Sequence, residues 1–271
     1  MTMTRIHQLA TTLALATGLI GSTRAHAQIA VVGSTVEERT ATAGESYVGT
    51  IVVRNLTRQD QPVRIYQTDY LFFADGTSHF DSVGSAPRSN GAWITPTVRS
   101  LLVAPGSEMT VSYTVKVPAN ESLRGTYWSA IMVEGAPTEA GRPSAGRPQV
   151  GLGAVVRYAV QLATHIRDTG SRKVSFANSR FLTNADSTQS FELEVRNDGE
   201  RAYRPALWIE VYDEQGAMRA NARAERGLLY PGTSLKQTFA LGRLAPGTYR
   251  GIVFVDSGED AVFAQQYTLR F

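Results

Sequence analysis

The chain has 271 residues, of which 42% are hydrophobic, with 27 Lys or Arg against 24 Asp or Glu and no cysteine. The lack of cysteine excludes disulfides, thiolate metal sites and a cysteine nucleophile. No block of Lys or Arg stands out, so the charge pattern does not favour nucleic-acid binding.

The first 27 residues have the pattern of a secretory signal peptide. Arg5 is followed by an apolar stretch over 9–20 and by an A-x-A cleavage site at 25–27. We expect cleavage after Ala27 and a periplasmic or secreted product. The apolar stretch is too short to cross about 30 Å of hydrocarbon, and no second one follows, so we expect no membrane span in the mature chain.

The second half of the mature chain repeats the layout of the first. An extended run ending in Asn, a Pro-Gly turn and a Gly-Thr-Tyr segment occur twice in the same order. The matching pairs are 51–55 with 193–197, 105–107 with 231–233, and 125–127 with 247–249. This repetition indicates two copies of one unit.

Short β-branched and aromatic runs alternate with Gly, Pro, Asn and Asp turns, which is typical of β-sandwiches. Residues 109–117 alternate cleanly with period two. We therefore predict an all-β fold of two tandem immunoglobulin-like β-sandwich domains. The predicted strands are 29–36, 46–54, 62–72, 92–103, 108–117, 126–134 and 152–166, then 172–182, 189–197, 204–213, 217–225, 235–241, 247–255 and 261–270.

Residues 135–150 are rich in Gly, Pro and Ala and predict a flexible loop. The boundary between domains is expected later, near 168–170, because the strand 152–166 is needed to complete the first sandwich. The predicted units are the signal peptide 1–27 and two domains, 28–168 and 169–271.

An apolar row at period two follows the loop. It has seven positions over 13 residues, which is about 40 Å of extended chain. Such a strand can extend beyond its own sheet and take a partner strand by β-augmentation. The alternative is that its own domain covers the row. The row consists of Val150, Leu152, Ala154, Val156, Tyr158, Val160 and Leu162. The predicted partner-binding residues are Val150, Leu152, Ala154, Val156, Arg157 and Gln161.

The segment 126–134 (TYWSAIMVE), the loop after it and the strand 150–166 resemble the N-terminal domain of periplasmic pilus chaperones, the PapD-like group. The resemblance implies a chaperone that caps an incomplete pilus or adhesin subunit with its long edge strand. It also implies an Arg on the first strand and a Lys on the long strand that hold the subunit's C-terminal carboxylate. Here Glu38 and Gln161 stand near those positions. Arg39, Arg54 and Arg157 are the alternative cations, and carboxylate anchoring stays open.

The two-domain layout also resembles the WxL-interacting proteins of bacterial surfaces. The shared features are Trp93-Ile94, Pro105-Gly106, Val117-Pro118 and Gly125-Thr126-Tyr127. This resemblance implies a structural surface protein that binds cell-wall glycan or another surface protein. The candidate aromatic contacts for glycan are Trp93 and Trp128, with core positions as the alternative.

The sequence offers little for catalysis or metal binding. The histidines after the signal segment are His79 and His165, and there is no Gly-x-Ser-x-Gly elbow. The acidic run 256–260 (DSGED) fits a turn better than a calcium loop. We therefore predict no enzyme activity, no cofactor and no metal. The leading hypothesis is a periplasmic protein that resembles a pilus or adhesin assembly chaperone and binds an exported subunit.

Overall fold

A computed structural model of the chain describes residues 28–135, 155–258 and 261–270. Within these ranges the regular elements are strands and one 3-10 helix, Gly91–Trp93. The predicted all-β class is confirmed. None of the helical segments in these ranges is long and apolar enough to cross a membrane.

The strands divide into two sets along the chain. The first set is β1 Ile29–Val32, β2 Val36–Ala41, β3 Ser46–Asn55, β4 Gln61–Thr68, β5 Leu71–Phe72, β6 Ser78–His79, β7 Ile94–Pro96, β8 Ser100–Val103, β9 Glu108–Lys116, β10 Thr126–Gly135 and β11 Arg157–Ile166. The second set is β12 Val174–Thr183, β13 Gln189–Asn197, β14 Ala206–Tyr212, β15 Met218–Glu225, β16 Ser234–Gly242, β17 Thr248–Asp256 and β18 Val262–Arg270.

Each set forms two facing sheets, and β5 and β6 of the first set pair with each other in a separate two-stranded sheet. The first sandwich pairs a sheet of order β1-β3-β9-β7 with one of order β2-β11-β10-β4-β8. The second pairs β12-β13-β16 with β15-β14-β17-β18. Neighbours are antiparallel except β2, which runs parallel to β11. These are the two predicted immunoglobulin-like β-sandwiches.

Each sandwich has its own apolar core. In β9 the predicted alternation places Val111, Tyr113 and Val115 in the first core, while Met109 at the strand's start stays exposed. The second core is built the same way around Leu193, Ile209 and Val253. Strands with period-two patterning thus bury one face each, as half-buried strands should.

The sequence repeat has a structural counterpart at two buried asparagines. Asn55 donates from Nδ2 to the carbonyls of Gln59 and Val103, and its amide donates to Ser107 O. Asn197 donates in the same way to Arg201 and Leu229, and its amide donates to Thr233 O. The two sandwiches therefore close the same turn with the same hydrogen bonds, which satisfies buried carbonyls that would otherwise lack partners.

Besides the predicted strand 29–36, which is described below, three predicted strands differ in the structure. The segment 62–72 breaks after Thr68, because the buried Asp69 accepts hydrogen bonds from Ala86 N and Ser89 Oγ instead of continuing the sheet. The segment 92–103 separates into the 3-10 helix, β7 and β8, which belong to opposite sheets. The segment 152–166 is a strand only from Arg157 onward within the described residues.

The first strand of the fold is split between the two sheets. β1 pairs with β3 in one sheet, and β2 pairs with β11 in the other. The crossing between them contains Gly33 at φ 98°, a left-handed conformation that glycine adopts without steric cost. This crossing determines how much of β11 has a neighbour.

Candidate partner-binding edge and the contact between the sandwiches

β11 has neighbours on both sides along only part of its length. It pairs with β10 from Arg157 to His165. It pairs with β2 only from Gln161 to Ile166. The first part of the strand, 157–160, therefore has β10 on one side and no described strand on the other; we call this stretch the free edge and its second side the open side.

The alternation of hydrogen bonds shows which backbone groups face the open side. Gln161 N donates to Thr35 O at 2.8 Å, and Arg167 N donates to Ala41 O at 3.0 Å, so odd-numbered residues face β2. Val156 O accepts from Gly135 N at 3.3 Å, so even-numbered residues face β10. By this alternation the N–H and C=O groups of Arg157 and Ala159 point to the open side.

Side chains beside the free edge are held in place. Val160 is buried in the first core, and Tyr158 packs against that core while its hydroxyl donates to Ile29 O at 3.0 Å. Arg157 pairs with Glu134 at 2.8 Å, and Tyr66 donates to the same carboxylate at 2.7 Å. The strand that carries the free edge is thus held in place by contacts within the first sandwich.

Of the residues predicted for partner binding, Arg157 lies at the free edge. Val156 precedes the strand and is not part of it. Val150, Leu152 and Ala154 lie outside the described residues. Gln161 is flanked by β2 and β10, and its Oε1 accepts a hydrogen bond from Tyr230 Oη at 2.9 Å. It therefore contributes to the contact between the sandwiches.

The positions that the chaperone resemblance assigns to carboxylate anchoring are engaged in the same contact. Glu38 accepts from Arg204 Nε at 3.1 Å and lies 3.3 Å from His165 Nε2. The alternative cations Arg54 and Arg157 pair with Glu108 and Glu134. The two anchoring positions, Glu38 and Gln161, thus bind the second sandwich and carry no positive charge.

Trp128 and Trp93 differ in accessibility. Trp128 is 2% exposed and stacks on Tyr230 of the second sandwich, with centroids 4.7 Å apart and ring planes at 11°. Its indole Nε1 donates to Tyr70 O at 2.6 Å. Trp93 is partly exposed and packs against Tyr127 at 4.8 Å. Trp128 therefore joins the sandwiches and presents no face to a sugar.

An apolar cluster continues this contact. Trp128 and Ala163 of the first sandwich pack with Ala202, Leu228 and Tyr230 of the second. The sequence alone did not predict this cluster, although three of its members lie beside motifs of the sequence repeat. Leu228 and Tyr230 precede the second Pro-Gly turn, and Trp128 follows the first Gly-Thr-Tyr segment.

A hydroxyl, an imidazole and a carboxylate stand in a row at the same contact. Thr126 Oγ1 lies 2.8 Å from His165 Nδ1, and His165 Nε2 lies 3.3 Å from Glu38. The order resembles that of a nucleophilic triad. Thr126 is fully buried, however, and its Oγ1 accepts from Ala202 N at 2.9 Å. This chain of hydrogen bonds therefore has a structural role in linking the two sandwiches.

Among the described residues, no group of three or more His, Asp or Glu side chains is placed to hold a metal ion. The part of the acidic run that the structure describes, 256–258, forms a turn in which Gly258 N donates to Asp256 Oδ1 at 2.7 Å.

No protein-family model and no curated protein matches the chain. Solved structures similar to it include one titled as a chaperone–tip adhesin complex of CFA/I fimbriae biogenesis (12% identity, 89% of this chain and 98% of that chain, TM-score 0.46). Others are the class 5 fimbriae chaperone CfaA (11%, 88% and 98%, TM-score 0.45) and the Pseudomonas aeruginosa CupB2 chaperone (12%, 89% and 100%, TM-score 0.40).

The structures to which the chain is similar thus include chaperones, one of them a class 5 fimbriae chaperone. Identities of 11–12% and TM-scores of 0.40–0.46 are too low to carry a function from those proteins to this one. What the chain binds has to be inferred from its own residues.

The Glu38 contact predicts a pH dependence of stability. Hydrogen bonding from His165, followed by that from Arg204, lowers the pKa of Glu38 despite partial burial. A carboxyl whose pKa is lower in the folded chain adds stability above its ordinary pKa, and this is lost as pH falls through the lowered pKa. We expect Glu38→Gln to lower Tm most at about pH 6, above the ordinary pKa of a Glu carboxyl, and to lower it progressively less as pH falls through the lowered pKa.

Thermal unfolding of both proteins across this pH range measures the effect. The control is Glu214→Gln, because Glu214 lies on an exposed loop of the second sandwich. A Tm difference between Glu38→Gln and wild type that stays constant with pH would contradict the role assigned to the carboxylate.

Proposed function

We propose that this chain is a non-enzymatic, exported chaperone that binds an extended segment of a fimbrial or adhesin-type subunit by β-augmentation. The observation that carries the proposal is the free edge of β11, whose backbone groups at Arg157 and Ala159 face a side without a described strand. Main-chain hydrogen bonds to such an edge give affinity, and the side chains beside it give selectivity.

The position and the side-chain pattern of the bound segment follow from the geometry of the sheet. An added strand would lie in line with β2, on the same side of β11, and would end where Thr35 already bonds to Gln161. Every second side chain of that strand would point towards the core side, near Tyr158 and Ile29. An extended segment with alternating apolar residues fits this environment.

The free edge leads to a cleft between the sandwiches. The cleft has a volume of about 440 Å³. Gln161 and Val36 line it at the end of the free edge, and Arg226 and Lys236 line it on the second sandwich. Its other apolar lining residues are Tyr70, Phe72, Phe73, Ala74, Leu228 and Leu235. The cleft would receive an apolar end of the segment.

The proposal predicts that Ala159→Pro weakens capture of the subunit without unfolding the chain. Proline removes the outward N–H of residue 159 and places its ring on the open side, while the ladder to β10 uses even-numbered residues. Losing one such bond and blocking the edge should weaken binding about tenfold or more. The matched control is Ala159→Ser, which keeps the N–H.

The measurement is a pull-down of the tagged mature chain from the periplasm of its host, with mass spectrometry. Hydrogen exchange on the purified complex then tests the place of binding. Slower exchange at Arg157 and Ala159 is expected when the subunit is bound. Equal capture by the Pro and Ser variants, or retention on peptidoglycan with no protein partner, would refute the proposal.

A further inference from the structure

The edge strands of the described sheets are protected from pairing with other chains, with one exception. β1, β7 and β8 have only 3–4 residues each. β2 carries three charged residues in six, at 37–39. β12 has a register shift between Ala177 and Arg180. Short length, charge and bulges are the usual protections of edge strands.

The other two edges of the second sandwich are protected as well. β15 carries Arg219, Arg223 and Glu225 within eight residues. β16 has its Lys236 carbonyl occupied by a hydrogen bond from Arg226 Nη2 at 2.9 Å. Both edges thus present charge or an occupied backbone group to an incoming strand.

β18 is the exception. It pairs with β17 over all nine residues without a register shift, and no described strand lies on its other side. It contains no Pro and no Gly, and its single charged residue is Arg270 at the end. Val262 at its start is 53% exposed. A long, regular edge with a single charge at its end is a template for another strand.

We propose that β18 pairs antiparallel with β18 of a second copy of this chain, about a two-fold axis at Gln266. Gln266 is the midpoint of the strand, so this register pairs all nine residues. It joins the two four-stranded sheets into one continuous sheet. The pairing does not involve the free edge of β11, which belongs to the other sandwich, and it does not depend on the proposed function.

The strand is complementary to itself in this register. Phe263 lies opposite Leu269 of the second copy, and two Gln266 amides face each other, each able to donate and accept. The single charge, Arg270, lies opposite Val262, so no like charges meet. This complementarity favours a second copy over an unrelated extended segment. An isologous contact of this kind is the commonest form of protein oligomer.

A cysteine placed on the axis tests the register. The chain has no cysteine, so a single thiol reports only its own contact. Opposed residues of antiparallel strands have Cα atoms about 4.5–5.5 Å apart, within disulfide range. We expect Gln266→Cys to form disulfide dimers under mild oxidation about tenfold or more faster than Ala264→Cys, whose thiol faces residue 268 of the other copy.

Charge variants test the association without a crosslink. Gln266→Lys places two like charges on the axis and should give a monomer in sedimentation velocity. An equimolar mixture of Gln266→Lys and Gln266→Glu should restore the dimer. The control is Asn221→Lys, which adds the same charge in the same cross-strand row, on the opposite edge of the sheet.

A wild-type chain that remains monomeric from low to high micromolar concentration would overturn the proposal. So would equal crosslinking at 266 and 264, since this would indicate random collision. A wild-type monomer that instead captures a different protein in a Gln266→Lys-sensitive manner would assign the edge to a foreign strand and would also overturn it.

Discussion

Gly125→Ala is expected to destabilise the folded chain by about 3 kcal/mol or more, because two costs add at this position. Gly125 has φ +69°, where an L side chain is strained. A Cβ there would also lie 2.0 Å from Glu200 O of the second sandwich. Glu200 O already accepts from Thr126 N at 2.8 Å, so it cannot move away without breaking this bond between the sandwiches.

The control for this prediction is Gly106→Ala. Gly106 has a similar φ of +64°, but a Cβ there meets no atom within 4 Å. It therefore carries only the backbone cost of about 1–2 kcal/mol. Urea unfolding of both variants separates the two contributions. Equal losses of unfolding free energy in the two variants would show that the close approach to Glu200 costs nothing.

Trp128→Ala is expected to cost about 3–5 kcal/mol and to separate the unfolding of the two sandwiches. Trp128 is the only tryptophan of the described residues that stacks across the contact, and its loss leaves a cavity against Tyr230. With that contact weakened, each sandwich should unfold as its own cooperative unit, because each has a separate apolar core.

Trp208→Ala serves as the matched control. Trp208 also stacks on an aromatic ring, Phe254 at 4.9 Å, but both belong to the second sandwich and lie on a partly exposed sheet face. Its removal should cost less and leave the number of transitions unchanged. Differential scanning calorimetry gives both readouts. A single transition of unaltered shape in Trp128→Ala would mean that the sandwiches are coupled elsewhere.

The fold could be predicted from sequence because its signals are local. Alternation in β9 places Val111, Tyr113 and Val115 on one face, and this holds in the structure. The Asn-containing turns at Asn55 and Asn197 appear as repeats in the sequence and close with equivalent hydrogen bonds. Period-two patterning and turn chemistry act over a few residues, so a single chain displays them.

The candidate site could be predicted only in part because its limits are not local. The apolar row correctly identifies β11, but Val160 and Leu162 of that row are core residues. Whether a residue of β11 has a second neighbour depends on where β2 begins, more than 120 residues earlier in the chain. Likewise, Gln161 bonds to Tyr230, 69 residues away. Neither relation leaves a periodic trace in the sequence.

The position of the crossing at Gly33 determines where the pairing between β2 and β11 begins. If the crossing lay two residues earlier in the sequence, β2 would begin earlier and would also pair with Ala159 of β11. If it lay two residues later, Gln161 would lose its β2 neighbour. The number of β11 residues without a second neighbour is thus set by a crossing that lies outside the free edge itself. A related chain could therefore pair more or fewer backbone groups of β11 within itself simply by moving the position at which its first strand crosses between the sheets.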